Sequence, residues 1–275
     1  MSSDCLSYDE FMSYKDSALD IPTELDAFVN KVKLIQLKNK KNFGMWRKNE
    51  KQKTSWLVTK KLNQNTDEQL TSNYKGILNR ISDSNFSEMI EELLNLEIEC
   101  TDHLQVLVNL IFQKAVMEEN YTSMYAKLSS ELYPKYVTNE EGDKVYFRVI
   151  FLEKCQEMFQ QSISIDTEEE IKNTQLKGKF ELVGLMSFVG QLYNHGLITN
   201  TIIYNCLIEL VFKVAEKKFH SIENMCKLVD VVGQKFSSLC PKDHTRIINE
   251  LSKLLDTIES KKDKFALMDI LEKKY

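Results

Sequence analysis

The sequence predicts an all-α protein, an α-solenoid of about five HEAT-type helical hairpins with an N-terminal extended and helical arm. Three observations carry that prediction. From about residue 67 onward, apolar residues recur at the 3–4 spacing of helix faces. Eight Gly and three Pro in 275 residues leave little to interrupt helices. No stretch shows sustained strand-like alternation, and the helices fall in consecutive pairs of roughly 35–50 residues, within the HEAT-type range. Short turns between antiparallel pairs favour stacking over a compact bundle.

Taken in order, residues 1–22 are polar and acidic, with aromatic points at Tyr8, Phe11 and Tyr14. Pro22 breaks the chain, and Thr23 caps a helix with Leu25, Phe28, Val29, Val32 and Ile35 on one face. The basic stretch 38–61 has no sustained periodicity and reads as extended or disordered when free. Residues 23–66 form an arm or linker, and a helical domain fills 67–275. Its helices are expected near 68–81 and 85–97, then 102–118 and 121–133. The second of these pairs is the best defined. Leu104, Leu107, Val108, Ile111, Phe112 and Ala115 make one stripe, and Met117, Glu118, Glu119 and Asn120 interrupt it. Tyr121, Met124, Tyr125 and Leu128 then resume the spacing. The rest of the domain is expected to be organised around this pair. The turn-rich segment from Thr138 to Asp143 leads to a helix at 145–161, and an acidic loop at 164–172 leads to one at 174–194. Helices at 199–217, 221–238, 243–259 and 262–273 complete the five pairs.

The net charge of −5 conceals a segregation. Between Lys31 and Lys61 eleven Lys and Arg face one acid, Glu50, a net of +10 that leaves −15 on the remainder. An acidic body with a basic arm suggests that the arm meets a polyanion. No apolar run approaches the roughly 18–20 residues of a transmembrane helix, and the polar N-terminus is no signal or transit peptide. The six scattered cysteines read as reduced thiols of a cytoplasmic protein.

The second pair carries a resemblance. Leu104, Leu107, Val108, Leu110, Ile111, Phe112, Lys114, Ala115, Val116, Glu118, Tyr121, Tyr125, Ala126 and Leu128 are spaced as in the middle, HEAT-repeat domain of eukaryotic translation initiation factor 4G. Later segments extend the likeness in order. Phe147, Arg148, Leu152, Cys155, Gln156 and Phe159 resemble its third-repeat helix. Gly184, Phe188, Gly190, Leu192 and Tyr193, followed by Gly196 to Thr199, resemble its next repeat. Ile222 to Gly233 resemble a further helix of that domain, and Lys262, Lys264 and Phe265 resemble its ending. The chain is therefore identified as a member of this family, a minimal version of the scaffold. Leu185, Met186 and Ser187 depart from the family's polar-containing pattern, as does Asp263 between two lysines. Most of these positions also read as core, and Gly184 and Gly190 as places where a neighbouring helix comes close.

The resemblance implies a cytoplasmic, non-enzymatic scaffold that binds and stimulates a DEAD-box RNA helicase of the factor 4A type, holds mRNA, and contacts the cap-binding subunit of the factor 4E type. Helicase contact falls on Trp46, Trp56, Tyr121, Arg148, Lys262 and Lys264. Arg148 also reads as a residue that ties adjacent turns together by hydrogen bonds. RNA contact falls on the arm, at Lys38, Lys40, Lys41, Phe43, Arg47, Lys48, Lys51, Lys53, Lys60 and Lys61, where lysines neutralise phosphates and aromatics stack on bases. Cap-subunit contact falls on Tyr8, Phe11, Met12, Tyr14 and Leu19, although the YxxxxLΦ spacing of such helices is not met. Related middle domains in nonsense-mediated decay, nuclear cap binding and poly(A)-binding-protein regulation form the alternative reading.

Enzymatic and metal sites have no support. His103, His195, His220 and His244 fall in different repeats, and Cys100 with His103 is one pair without a second. Phosphate-binding glycine loops and the GxSxG and HExxH patterns are absent from the sequence. No cofactor is expected.

Overall fold

The computed structural model describes residues 55–165, 178–217 and 221–273, with side chains from residue 67 onward except that of Lys179. Among these residues, ten α-helices follow one another: α1 (Ser55–Arg80), α2 (Phe86–Leu94), α3 (Thr101–Met117), α4 (Thr122–Leu132), α5 (Phe147–Ser164), α6 (Lys179–Asn194), α7 (Asn200–Ala215), α8 (Ser221–Leu239), α9 (Pro241–Leu254) and α10 (Lys261–Glu272). Residues 61–275 form one compact unit. Odd helices pack on odd (α3 on α5, α7 on α9), and even on even, from α2 through α4, α6 and α8 to α10. With contacts inside the pairs α3–α4, α5–α6, α7–α8 and α9–α10, this is the two-layer stacking of a helical solenoid.

Local chemistry sets the joints. Between α1 and α2 the Asn85 side chain accepts from the Ser82 amide at 2.7 Å and donates to the Arg80 carbonyl at 2.9 Å, while Arg80 reaches Glu92 at 2.6 Å. His103, in the first turn of α3, accepts from the Glu99 amide through Nδ1. Its Nε2 is thereby left to donate to Asp67 on α1 at 3.1 Å. That bond accounts for His103 as a staple between repeats. Thr199 and Ser260 cap α7 and α10 through their hydroxyls, and Pro241 opens α9.

The core is continuous through the repeats. Phe112 of α3 lies 4.9 Å from Phe151 of α5 and 5.2 Å from Phe188 of α6, centroid to centroid. All three are fully buried, as are Phe147, Leu192 and Tyr193. Burying a side chain of this size contributes about 2–3 kcal/mol.

The helix with the widest set of neighbours is α6, which touches α3, α4, α5, α7 and α8. Its two glycines explain how. A Cβ on Gly184 would collide with the backbone carbonyl of Val116 in α3, and one on Gly190 would fall 2.6 Å from Cγ1 of Val231 in α8. The domain is therefore organised around α6, with the α3–α4 pair packed on one side of it.

Two elements differ from the sequence reading. Residues Tyr136–Thr138 and Lys144–Tyr146 form antiparallel strands β1 and β2, in a segment expected to be only a turn. Tyr136 pairs with Tyr146, Val137 with Val145 and Thr138 with Lys144. The Asn139 side chain accepts from the amides of Glu141 and Asp143, and Gly142 takes the left-handed conformation at φ 84. Three residues per strand are too few for alternation to register. The hairpin moves the start of α5 to Phe147, whose amide bonds the Lys135 carbonyl at 2.8 Å. The second difference is α1, which begins at Ser55 and so takes the end of the basic stretch into helix. Lys, Leu and Gln are good helix formers even without an apolar stripe. The expected helix at 25–35 lies outside the described residues, as do residues 166–172 of the loop expected at 164–172, whose first residue, Ser164, still belongs to α5.

Candidate partner-binding edge

Where α3 gives way to α4, a short 3-10 turn at Glu119–Tyr121 reverses the chain. Glu118 organises it from inside. Its carboxylate accepts from Lys114 at 2.6 Å and from the hydroxyl of Tyr125 at 2.7 Å, and Tyr125 itself is buried. Partial burial pushes the Glu118 carboxyl up, but the hydrogen bonds from Lys114 and Tyr125 and the lysine charge outweigh it and hold it below the ordinary value. Burial and the same carboxylate drive the Tyr125 hydroxyl strongly upward, so it stays a donor. The Thr122 hydroxyl closes the turn on the Glu119 carbonyl at 2.9 Å.

With its polar groups used inward, the turn leaves apolar surface outside. Met117 is 62% exposed and Tyr121 53%. Phe180, 89% exposed, lies one helical turn before Gly184, which rests on Val116. From there α8 continues the edge. Lys227 pairs with Glu119 of the turn, and Glu223, one helical turn earlier, lies 3.7 Å from Lys262 of α10. Phe265, on the same face of α10 as Lys262, is 62% exposed. An open cavity of about 400 Å³ sits at this end of α8, with Lys217, Ile222, Ile258 and Lys262 in its wall.

Isolated exposed apolar residues are ordinary, but a run of Met, Tyr and Phe interleaved with Lys–Glu pairs has the composition of a protein-binding surface. Among the described residues no group of three His, Cys, Asp or Glu could hold a metal ion. Burial pushes the Cys155 and Cys226 thiols up to about 12, far from a nucleophile's range.

Compared with known families, residues 72–274 match the MIF4G domain. The chain belongs to the MIF4G domain family. Eukaryotic translation initiation factor 4G of Triticum aestivum is 26% identical over 217 residues, 72% of this chain and 14% of that protein. The protein of the same name from Arabidopsis thaliana is 28% identical over 176 residues, 58% of this chain and 10% of that protein. The chain thus spans only a small part of these relatives. The MIF4G domain of Trypanosoma cruzi translation initiation factor EIF4G5 superposes with a TM-score of 0.49 at 22% identity, covering 74% of this chain and 94% of that one.

Of the helicase-contact residues expected from sequence, this MIF4G domain brings two onto the edge, Tyr121 directly and Lys262 through Glu223. Lys264 lies two residues further along α10 and is half-buried. Arg148 is elsewhere. It follows β2, beside Lys135 at the far end of α4 from Tyr121, about 16 Å away at 1.5 Å per residue. Its guanidinium lies over the Tyr146 ring at 4.5 Å, in place of the bonds between adjacent turns that its position suggested.

Trp56, Lys60 and Lys61 fall on α1 where only the backbone is described. Trp46, Lys38, Lys40, Lys41, Phe43, Arg47, Lys48, Lys51, Lys53, Tyr8, Phe11, Met12, Tyr14 and Leu19 lie outside the described residues. Met117 and Phe180 were not singled out from the sequence. Their signal was an apolar residue off the stripe of its own helix.

Proposed function

We propose that this MIF4G domain is a translation-initiation scaffold that binds and stimulates a DEAD-box RNA helicase of the factor 4A type. The observation that carries the reading is the bare apolar edge at Met117, Tyr121 and Phe180, running on through Lys227 to Lys262 and Phe265. It is a recognition surface without chemistry, in a chain whose relatives are named initiation factor 4G. A scaffold that grips both lobes of a helicase speeds turnover by favouring one arrangement of the lobes. The basic arm 38–61, with Trp46 and Trp56, holds mRNA and adds a helicase anchor. The segment around Tyr8 and Tyr14 contacts the cap-binding subunit. All of this takes place in the cytoplasm.

The test is the RNA-stimulated ATPase of a factor 4A-type helicase from the same source, with and without the intact chain. Stimulation that weakens on Tyr121→Ala supports the reading. No stimulation and no binding at micromolar concentration would sink it in favour of a decay, nuclear-cap or poly(A)-binding-protein adaptor.

A further inference from the structure

We propose that the outer edge of β2 is a docking strip for an extended peptide of a partner protein, in which an apolar residue flanked by carboxylates adds a third strand to the hairpin. The ladder fixes which backbone groups face outward. The Asn139 amide donates to the Asp143 carbonyl at 2.9 Å, and the Phe147 amide to the Lys135 carbonyl at 2.8 Å. Bonded and non-bonded pairs alternate in an antiparallel ladder, so the bonded pair between these two is Val137 with Val145. The amide and carbonyl of Lys144 and the amide of Tyr146 therefore point away from β1. Nothing among the described residues bonds them. The Tyr146 carbonyl, at the N-cap of α5, is turned into that helix.

Side chains alternate across the ribbon. Tyr136, Thr138, Lys144 and Tyr146 share one face, where the two rings meet at 5.4 Å, and Val137 and Val145 share the other. Val137 is buried, whereas Val145 is only half-buried. The base of β1 is tied to the end of α2 by Lys135, whose Nζ donates to the Leu94 carbonyl at 3.2 Å. The unfinished edge is that of β2. A residue added opposite Val145 places its side chain on the valine face and completes the cover of Val145.

Its two neighbours in the added strand project on the tyrosine face, beside Lys144 and Arg148. A ring contact holds these cations in place and leaves their charge, and neither is paired with a carboxylate among the described residues. The nearby acids, Glu140, Glu141 and Asp143, belong to the turn at the hairpin's tip. Carboxylates at the flanking positions therefore meet both cations. Backbone bonds supply affinity in such a contact, and the alternating side chains choose the sequence, acidic then apolar then acidic. A peptide is favoured over RNA because the free groups are backbone groups in strand geometry, while the rings that could stack on bases are already capped. The strip lies at the other end of α4 from Tyr121, so the inference does not rest on the helicase reading.

The probe is a short synthetic peptide of alternating Glu and Val, titrated into the intact chain while NMR follows the backbone amides and their hydrogen exchange. Slower exchange at the Lys144 and Tyr146 amides is expected. Methylating the Glu nitrogens, which face β2, should weaken binding about tenfold. Methylating the Val nitrogens, which face away, should leave it unchanged, and a Lys and Val peptide should bind more weakly than the Glu and Val one. Unchanged exchange at Lys144 and Tyr146 overturns the proposal, as does equal loss from the two methylations. Protection of Tyr136 and Thr138 in their place overturns the assignment to β2. An oligouridylate that shifts these amides where the peptide does not would make the strip an RNA contact and overturn it as well.

Discussion

Two connections in this chain place tyrosines at the surface, and they treat them in opposite ways. At the β1–β2 hairpin, Tyr136 and Tyr146 pair at 5.4 Å, Lys144 lies over one ring at 4.3 Å and Arg148 over the other at 4.5 Å. The cations are spent on the hairpin's own aromatics. At the α3–α4 turn the lysine is turned inward, Lys114 onto Glu118 and Glu118 onto Tyr125, and Tyr121 and Met117 stay 53% and 62% exposed with no cation over the Tyr121 ring among the described residues. An aromatic already capped by its own neighbours is part of the fold. One left bare by a turn that satisfies itself internally is available to a partner. The same residue types, Tyr with Lys or Arg, thus mean different things at the two ends of α4.

The comparison can be broken or sharpened by substitution. The largest effect is expected from Gly184→Ala, whose Cβ has no room against the Val116 carbonyl that supports the bare turn. Overpacking of this kind costs about 3 kcal/mol, read as a fall in the urea midpoint. An unchanged midpoint would mean that the turn is not set by α6. Next, Tyr121→Ala is expected to weaken helicase binding about tenfold, roughly 1.4 kcal/mol, with stability unchanged within about 0.5 kcal/mol. Arg148→Ala should do the reverse, leaving affinity alone and lowering stability by about 0.5 kcal/mol. If the two variants behave alike, the distinction between the connections is wrong.

Tyr125→Phe removes the inward bond to Glu118 and should cost about 1 kcal/mol in chemical unfolding. The smallest effect is on acid behaviour. Glu118 titrates below its ordinary value of 4.5 in the folded protein. Its contribution is therefore present above that value and lost as pH falls through the folded one. Glu118→Gln should flatten the acid limb of the stability curve, and an unaltered limb would mean that its bonds to Lys114 and Tyr125 do not hold in solution.

The five helical pairs were legible because each stripe of Leu, Ile, Val and Phe is long enough for a 3.6-residue period to stand out. The three-residue strands were not, since Tyr136-Val-Thr carries too little period to separate from a turn. The two glycines of α6 were legible as close approaches, although the sequence does not say that their partners are Val116 and Val231, on two different helices. Of the candidate site, Tyr121 and Lys262 could be named from spacing and likeness. Met117 and Phe180 could not, because a residue off one helix's stripe looks the same whether it meets a neighbouring repeat or solvent. Arg148 shows the converse. Its place beside Phe147 does not say that its guanidinium turns back over the ring of Tyr146, two residues earlier.

The edge and the interior of this solenoid are fastened by different means. Inside, α6 meets its neighbours at glycines, contacts that dissolved ions cannot reach. Along the edge, Glu119–Lys227 and Glu223–Lys262 tie the α3–α4 turn and α10 to α8 through partly exposed charges, which weaken as ionic strength rises. The spine is therefore stiff and the lip compliant. A partner that settled on the lip would damp its motion and exclude water from both pairs, so grip and rigidity would rise together, and both would fade in concentrated salt while the helices stayed folded.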